Sequence, residues 1–204
     1  SLLALKAHVT YSDPYHILST NWSSSSTSVC NWIGITCGSR HQRVTVVNIS
    51  DMGFTGTIPP QLGNLSFLIS LDLSYNNFHG ELPLELSRLR KLRAIDISSS
   101  GLNGSNVLSM FNISSLDYLG LMDASLTGDL PSDLCRRLPR LQKLFLSSNM
   151  LSGQIPRTIS ECSELQVLAL MENNFVGTIP GELGNLQLLK VLDIGFNNFQ
   201  GMRL

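Results

Sequence analysis

The stretch Leu141-Gln142-Lys143-Leu144-Phe145-Leu146-Ser147-Ser148-Asn149-Met150-Leu151-Ser152-Gly153-Gln154-Ile155-Pro156 returns as Leu165 to Pro180 with its Leu-x-x-Leu-x-Leu, Asn, Gly, Ile and Pro positions kept and Phe175 in place of Leu151. Working outward from this pair, Leu-x-x-Leu-x-Leu units begin at Val44, Leu68, Leu92, Leu116, Leu141, Leu165 and Leu189, with successive spacings of 24, 24, 24, 25, 24 and 24 residues. A fixed period of this length is the mark of a solenoid whose coils bury one continuous core only by stacking. In each unit the second and third apolar members lie two residues apart, as in Leu144/Leu146 and Leu168/Leu170. That is the period of a strand with alternate side chains turned to one side.

Behind each strand an apolar column, from Phe54 and Phe78 to Phe175 and Phe199, is followed two residues later by a glycine, as at Gly56, Gly80, Gly153 and Gly177. A glycine at the same place in every unit predicts a turn with positive φ or no room for a side chain. Pro59, Pro83, Pro131, Pro156 and Pro180 then prevent a regular helix from starting at once, leaving an extended or tightly coiled return. Asn76, Asn149, Asn173 and Asn197 stand where side-chain amides can satisfy backbone groups at the corner after the strand. Met52, Ser100 and Ala124 interrupt that column, and Val107 replaces the third unit's proline. Looser corners are expected there, with the third unit the weakest.

With 43% apolar residues and 14 basic against 15 acidic side chains, the 204-residue chain is too aliphatic for disorder and has no basic run that would track nucleic-acid phosphates. No nucleic-acid partner is expected. Its apolar runs fall far short of the roughly 20 residues that cross a bilayer, and Ser1 opens no charged-then-apolar leader. The piece is expected to be soluble and to carry no membrane span, with a removed signal peptide or a downstream anchor both compatible with it. Five sequons, at Asn21, Asn48, Asn64, Asn103 and Asn112, nominate N-linked glycans and the secretory route.

The full pattern, Leu-x-x-Leu-x-Leu-x-x-Asn-x-Leu/Phe-x-Gly-x-Ile-Pro, resembles the plant-specific class of leucine-rich repeats. Upstream, Leu2-Leu3-Ala4-Leu5-Lys6, Asp13-Pro14, Asn21-Trp22 and Cys30-Asn31-Trp32-Ile33-Gly34-Ile35-Thr36-Cys37 resemble the N-terminal cap of plant receptor ectodomains. Arg43-Val44-Thr45 and Gly63-Asn64-Leu65 are similar to the receptor kinase branch that includes microbial-pattern receptors. The resemblance implies an α/β solenoid: a right-handed superhelix with a concave parallel β-sheet, a second short sheet beside it and a short helical cap. The expected division is a cysteine-containing cap over 1–43 and repeats over 44–204, six complete and the seventh cut short. It further implies an extracellular or outer plasma-membrane location, and a longer parent with more repeats, a C-terminal cap, one membrane span and a Ser/Thr kinase.

In the cap, Leu2, Leu3, Leu5 and Val9 are spaced for one buried helix face, and Asp13-Pro14 reads as the start of a second helix through Leu18. Trp22 and Trp32 should cover the first repeat, with Cys30 and Cys37 closing the loop between them as a disulfide. A metal site is the weaker reading of that pair, for want of a second Cys or His pair. Cys162 stands in a column otherwise held by Leu65, Leu89 and Leu186, and Cys135 lies beside the one-residue insertion of the fourth unit. Buried thiols and a bridge between adjacent coils are both open for them.

Nothing in the sequence resembles a catalytic constellation. His8, His16, His41 and His79 are scattered without metal-ligand or general-base spacing, and every periodic glycine is explained without a phosphate loop. Asp72, Asp96 and Asp193 share one strand position and read as solvated faces. No cofactor, metal or enzymatic activity is expected.

Solenoids bind through their concave wall. On units four to six that wall should present Tyr118, Met122, Asp123, Lys143, Phe145, Met171 and Glu172, a cluster of aromatic, thioether and charged groups within reach of one another. The leading expectation is a recognition fragment of a plant cell-surface receptor kinase that takes a peptide or microbial protein pattern, in defence or development, and then a co-receptor ectodomain. The alternative is a secreted stand-alone inhibitor of a microbial cell-wall hydrolase. An uncapped solenoid end exposes core, so the isolated piece should be poorly soluble or associate end to end. Light scattering over a concentration series should show mass rising with concentration; a strictly monomeric profile would contradict this.

Overall fold

In the computed structural model, which describes residues 1–9, 20–22, 28–102 and 105–201, the seven leucine-patterned segments form adjacent strands of one sheet. Its strands are β1 (Ile35–Cys37), β2 (Val44–Asn48), β4 (Ser70–Asp72), β6 (Ala94–Asp96), β7 (Tyr118–Gly120), β9 (Lys143–Phe145), β11 (Val167–Ala169) and β13 (Val191–Asp193). From β2 onward pairing is parallel and in strict repeat register: Leu71 faces Ile95, then Leu119, Leu144 and Leu168. These five are fully buried. Each such side chain contributes about 1.5–3 kcal/mol by leaving water, so a one-residue slip, which would turn the whole column outward, is strongly disfavoured.

Short strands on the next side of the coil pair in twos: β3 (Thr55–Gly56) with β5 (Asn77–Phe78), β8 (Thr127–Asp129) with β10 (Met150–Ser152), and β12 (Val176–Gly177) with β14 (Asn198–Phe199). Among the described residues no such pair includes the third unit, whose proline is missing. Pro59, Pro83, Pro156 and Pro180 stand in extended backbone and hand over to one or two turns of 3-10 helix, as at Pro60–Asn64, Leu84–Arg88 and Arg157–Glu161. Turn glycines behave as the period demands. Gly153 has φ +71°, and a Cβ on Gly56 would lie 2.0 Å from the His8 carbonyl, where the cap closes on the first repeat.

The asparagine column is saturated, with Asn76, Asn149 and Asn173 buried and Asn197 half-buried. Asn149 Nδ2 donates to the carbonyls of Leu121, Leu146 and Ser147, while its Oδ1 accepts from the amides of Ala124 and Leu126. Asn76, Asn173 and Asn197 repeat the pattern of three donations and an accepted amide one coil back. At the interrupted place in the third unit, Ser100 is buried and its hydroxyl has no hydrogen-bond partner among the described residues.

The cap departs from expectation in two respects. Helix α1 (Leu2–His8) buries Leu2 and Leu5, and Val9 packs against the core, but Leu3 is 54% exposed because the i, i+3, i+7 stripe leaves it on the far face. β1 pairs antiparallel with β2, so the sheet opens with a hairpin rather than another parallel strand. Trp22 and Trp32 stack at 5.1 Å, both buried, and Trp22 Nε1 donates to the Ile33 carbonyl. Cys30 and Cys37 are bridged. The helix start at Asp13-Pro14, the second helix through Leu18, and His16 lie outside the described residues.

Cys135 and Cys162 form a second disulfide, resolving the two readings against free buried thiols. The fourth unit's extra residue makes room for a single α-helical turn, Leu134–Arg137, in place of a 3-10 return. That turn brings Cys135 to a Cα distance of 4.8 Å from Cys162 on the neighbouring coil. Closing a loop with a sequence separation of 27 should stabilise the chain by about 3 kcal/mol through the unfolded state. The double variant Cys135→Ala/Cys162→Ala should lose about that much in urea unfolding, and an unchanged midpoint would show that coil packing alone fixes this junction.

Candidate ligand-binding surface

Two strand positions per coil point off the core. One carries Ser70, Ala94, Tyr118, Lys143 and Val167; the other carries Asp72, Asp96, Gly120, Phe145 and Ala169. The aspartates at the second position are not solvated faces. Asp72 and Asp96 are half-buried, and their Oδ1 atoms accept from the Ser74 and Ser98 amides two residues on, at 3.1 and 2.9 Å. Asn48 does the same with the Ser50 amide, and Asp193 with that of Gly195. A short acceptor that bonds its own backbone two residues ahead shapes the turn out of each strand, which is the physical reason for the column.

Asp96 has a second task. Its Oδ2 accepts the Tyr118 hydroxyl at 2.6 Å. Burial, then that bond, then the carboxylate charge push the Tyr118 phenol well above its ordinary pKa, so it remains a neutral donor. A Cβ on Gly120 would stand 2.6 Å from the Asp96 carboxylate, so the absence of a side chain at Gly120 leaves the room that the carboxylate occupies between the strands. Tyr118 and Phe145 rings lie tilted at 5.3 Å, an attractive aromatic separation. Lys143 stands exposed beside Tyr118.

Met122, Asp123, Met171 and Glu172 belong to a different feature, the corner after the strand. Asp51, Tyr75, Ser99, Asp123, Ser148, Glu172 and Phe196 all have φ between +46° and +57°. Each is a non-glycine residue in the left-handed region at one repeat position, which splays its side chain along the rim of the wall. Asp123 and Glu172 are exposed there, Ser148 Oγ donates to Glu172 Oε2 at 2.7 Å, and Phe196 is 80% exposed. Met122 and Met171 are half-buried, with the buried Ser147 on the coil between them.

The structure therefore joins Tyr118, Phe145 and Lys143 on the strands and sets Met122, Asp123, Met171 and Glu172 along the rim. A hollow of about 200 Å³ adjoins Tyr118 on the N-terminal side, lined by Ser70, Leu71, Asp72, Ala94 and Asp96. Sequence reasoning missed Asp96, Tyr75 and Phe196. The signal for Asp96 was its place one coil before Tyr118 in a column already noticed. The wall is acidic overall, with Asp51, Asp72, Asp96, Asp123, Glu172 and Asp193 against Lys143.

Of the sequons, Asn48, Asn64 and Asn112 are exposed, Asn48 on β2 of the wall and the other two at the ends of 3-10 returns. Asn21 is half-buried, its Oδ1 accepting the Ile33 amide, and Asn103 lies outside the described residues. Among the described residues no three His, Cys, Asp or Glu side chains gather as a metal site, and no helix is long and apolar enough to cross a membrane.

Residues 1–38 match the leucine rich repeat N-terminal domain family, and 67–89 and 140–162 match the leucine rich repeat family. The crystal structure of PEPR1-AtPEP1 superposes with a TM-score of 0.80 at 34% identity, over 97% of this chain and 28% of that one. The chain is a plant-receptor-type leucine-rich-repeat protein. The HAESA receptor kinase ectodomain of Arabidopsis, in complex with an extended IDA peptide hormone ligand, matches with a TM-score of 0.60 and 31% identity, over 93% of this chain and 27% of that one. Among curated relatives, the LRR receptor-like serine/threonine-protein kinase EFR of Arabidopsis thaliana is 43% identical over 77 residues, which are 38% of this chain and 7% of EFR. The chain thus matches only a small part of the length of these family members.

Tyr118→Phe keeps the ring contact and removes the hydrogen bond to Asp96. It should lower unfolding free energy by about 1 kcal/mol, read from denaturant midpoints; a neutral effect would mean that the Asp96 turn bond needs no support from the hydroxyl.

Proposed function

We propose that the chain is the N-terminal recognition segment of a plant receptor kinase ectodomain facing the extracellular space, and that its concave wall binds a peptide or a segment of a microbial protein. The parent carries one membrane span and a Ser/Thr kinase, and ligand binding recruits a co-receptor ectodomain. The observation that carries this reading is the Tyr118–Phe145 pair beside an acidic hollow on a wall otherwise built of small side chains. Aromatic groups flanked by polar ones are the usual anchors of binding energy. EFR is a receptor-like kinase, and the HAESA ectodomain is solved with a peptide hormone, which supports the same assignment.

Contacts are assigned to Tyr118, Phe145 and Lys143 on the strands and to Met122, Asp123, Met171 and Glu172 on the rim. The excess of carboxylates along the wall selects a ligand with cationic and apolar side chains. Asn48, Asn64 and Asn112, and by sequence Asn21 and Asn103, are the N-glycan acceptors. No observation favours a hydrolase inhibitor.

A synthetic library of secreted-type peptides, screened against the chain by interferometry, should return binders that are net cationic. Tyr118→Ala/Phe145→Ala should weaken them by about tenfold or more, the loss of a hot spot. Unchanged affinity in that variant would remove the wall patch from the site.

A further inference from the structure

The flank leading into the strands differs from the wall in charge. The residue before each unit's first apolar position is Arg43, Phe67, Lys91, Ser115 and Arg140 in the first five units. Lys91 Nζ lies 3.9 Å from the centre of the Phe67 ring, and the Arg43 guanidinium approaches the same ring at 5.7 Å. Next to this pair a groove of about 380 Å³ is lined by Ile69, Arg90, Lys91, Arg93, Ser115 and Arg140. Asp117 neutralises part of the charge, accepting from Arg93 Nη1 at 3.1 Å and from Arg140 Nε at 3.2 Å. Arg90 and Lys91 are exposed and have no carboxylate partner among the described residues. In a chain of net charge −1 this is a concentrated positive stripe.

Two features narrow what such a stripe can hold. Its cations recur along the solenoid axis, with Arg43 and Arg140 each two strand spacings of about 4.8 Å from the cluster of Arg90, Lys91 and Arg93, so they fit a linear polyanion better than a single ion. The backbone offers nothing further: the Ile69, Arg93, Asp117 and Gln142 amides each donate to the preceding coil, to Thr45, Ile69, Arg93 and Asp117 carbonyls. An extended acidic peptide would leave its own amides and carbonyls unpaired there, a cost that a peptide normally avoids by adding to a sheet edge. A sugar chain needs no such partners. Arginine forks match carboxylates bidentately, Ser115 keeps acceptor capacity beyond its bond to the Leu92 carbonyl, and exposed Ile69 gives an apolar spot for a sugar-ring face.

We propose that this flank binds a linear carboxylated polysaccharide, with uronate groups seated on Arg90, Lys91 and Arg93. The site is distinct from the concave wall and does not depend on the peptide-binding assignment. It would hold the ectodomain against an acidic matrix while leaving the wall open.

Calorimetry of the chain, with N-glycans trimmed so that none at Asn112 reaches the groove, against a short de-esterified oligogalacturonate provides the test. Binding should appear, weaken with added salt, and fall about tenfold or more in Arg90→Glu/Lys91→Glu, whose side chains are exposed. Arg157→Glu, an exposed charge reversal on a return helix, should retain affinity, and circular dichroism should show all variants folded. The proposal is overturned if the wild-type chain fails to bind, if the double variant binds as well as wild type, or if Arg157→Glu loses as much. It is equally overturned if the methyl-esterified oligomer or a poly-glutamate peptide of equal charge binds as tightly.

Discussion

Everything in this chain hangs on the corner that follows each strand. There the backbone must leave the sheet in a buried place, with carbonyls and amides that no strand or helix can pair. In the second, fifth, sixth and seventh units an asparagine side chain meets them, donating to three carbonyls and accepting an amide from the preceding coil. Leaving one such group unmet costs about 1–3 kcal/mol, so a single side chain holds a cluster of polar groups that would otherwise oppose burial of the leucine column. The same corner throws the preceding residue into the left-handed region. The left-handed turn recurs at Asp51, Ser99 and Asp123, whose corners lack the asparagine, so the path of the coil rather than the amide alone sets the direction of the exposed rim.

Much of the fold was legible because it is periodic. Strands, turn glycines, post-glycine prolines and the asparagine ladder each recur at fixed places, and the register of Leu119 on Leu144 and Leu144 on Leu168 follows the spacing. What was missed or left open is what breaks the period or lies between coils. The hairpin of β1 on β2 belongs to the cap, where no repeat informs it. The Cys135–Cys162 bridge depends on how an inserted residue winds a return, a geometry that column position alone does not give. Exposure of Leu3 turned on which of several apolar neighbours the helix stripe selects.

The recognition surface was legible in part for the same reason. Tyr118 and Phe145 stand out against the smaller residues at equivalent positions, but their meaning changes once Asp96 is seen holding the phenol and Gly120 is seen making room for that carboxylate. Strand alternation placed all seven residues on one wall; the left-handed corner separates the rim members from the strand members. The basic flank is invisible to a net-charge count because, Asp117 apart, the acids that balance it are spread over the rest of the chain.

The bridge between Cys135 and Cys162 also governs how the solenoid comes apart. In a one-dimensional stack each coil is held only by its neighbours, so opening spreads inward from an end, coil by coil. A covalent link across the junction of the fourth and fifth units fuses two steps of that zipper into one. Opening that approaches from the later coils meets a barrier at the linked pair before it reaches the aromatic anchors. The coils carrying Tyr118 and Phe145 open together or not at all.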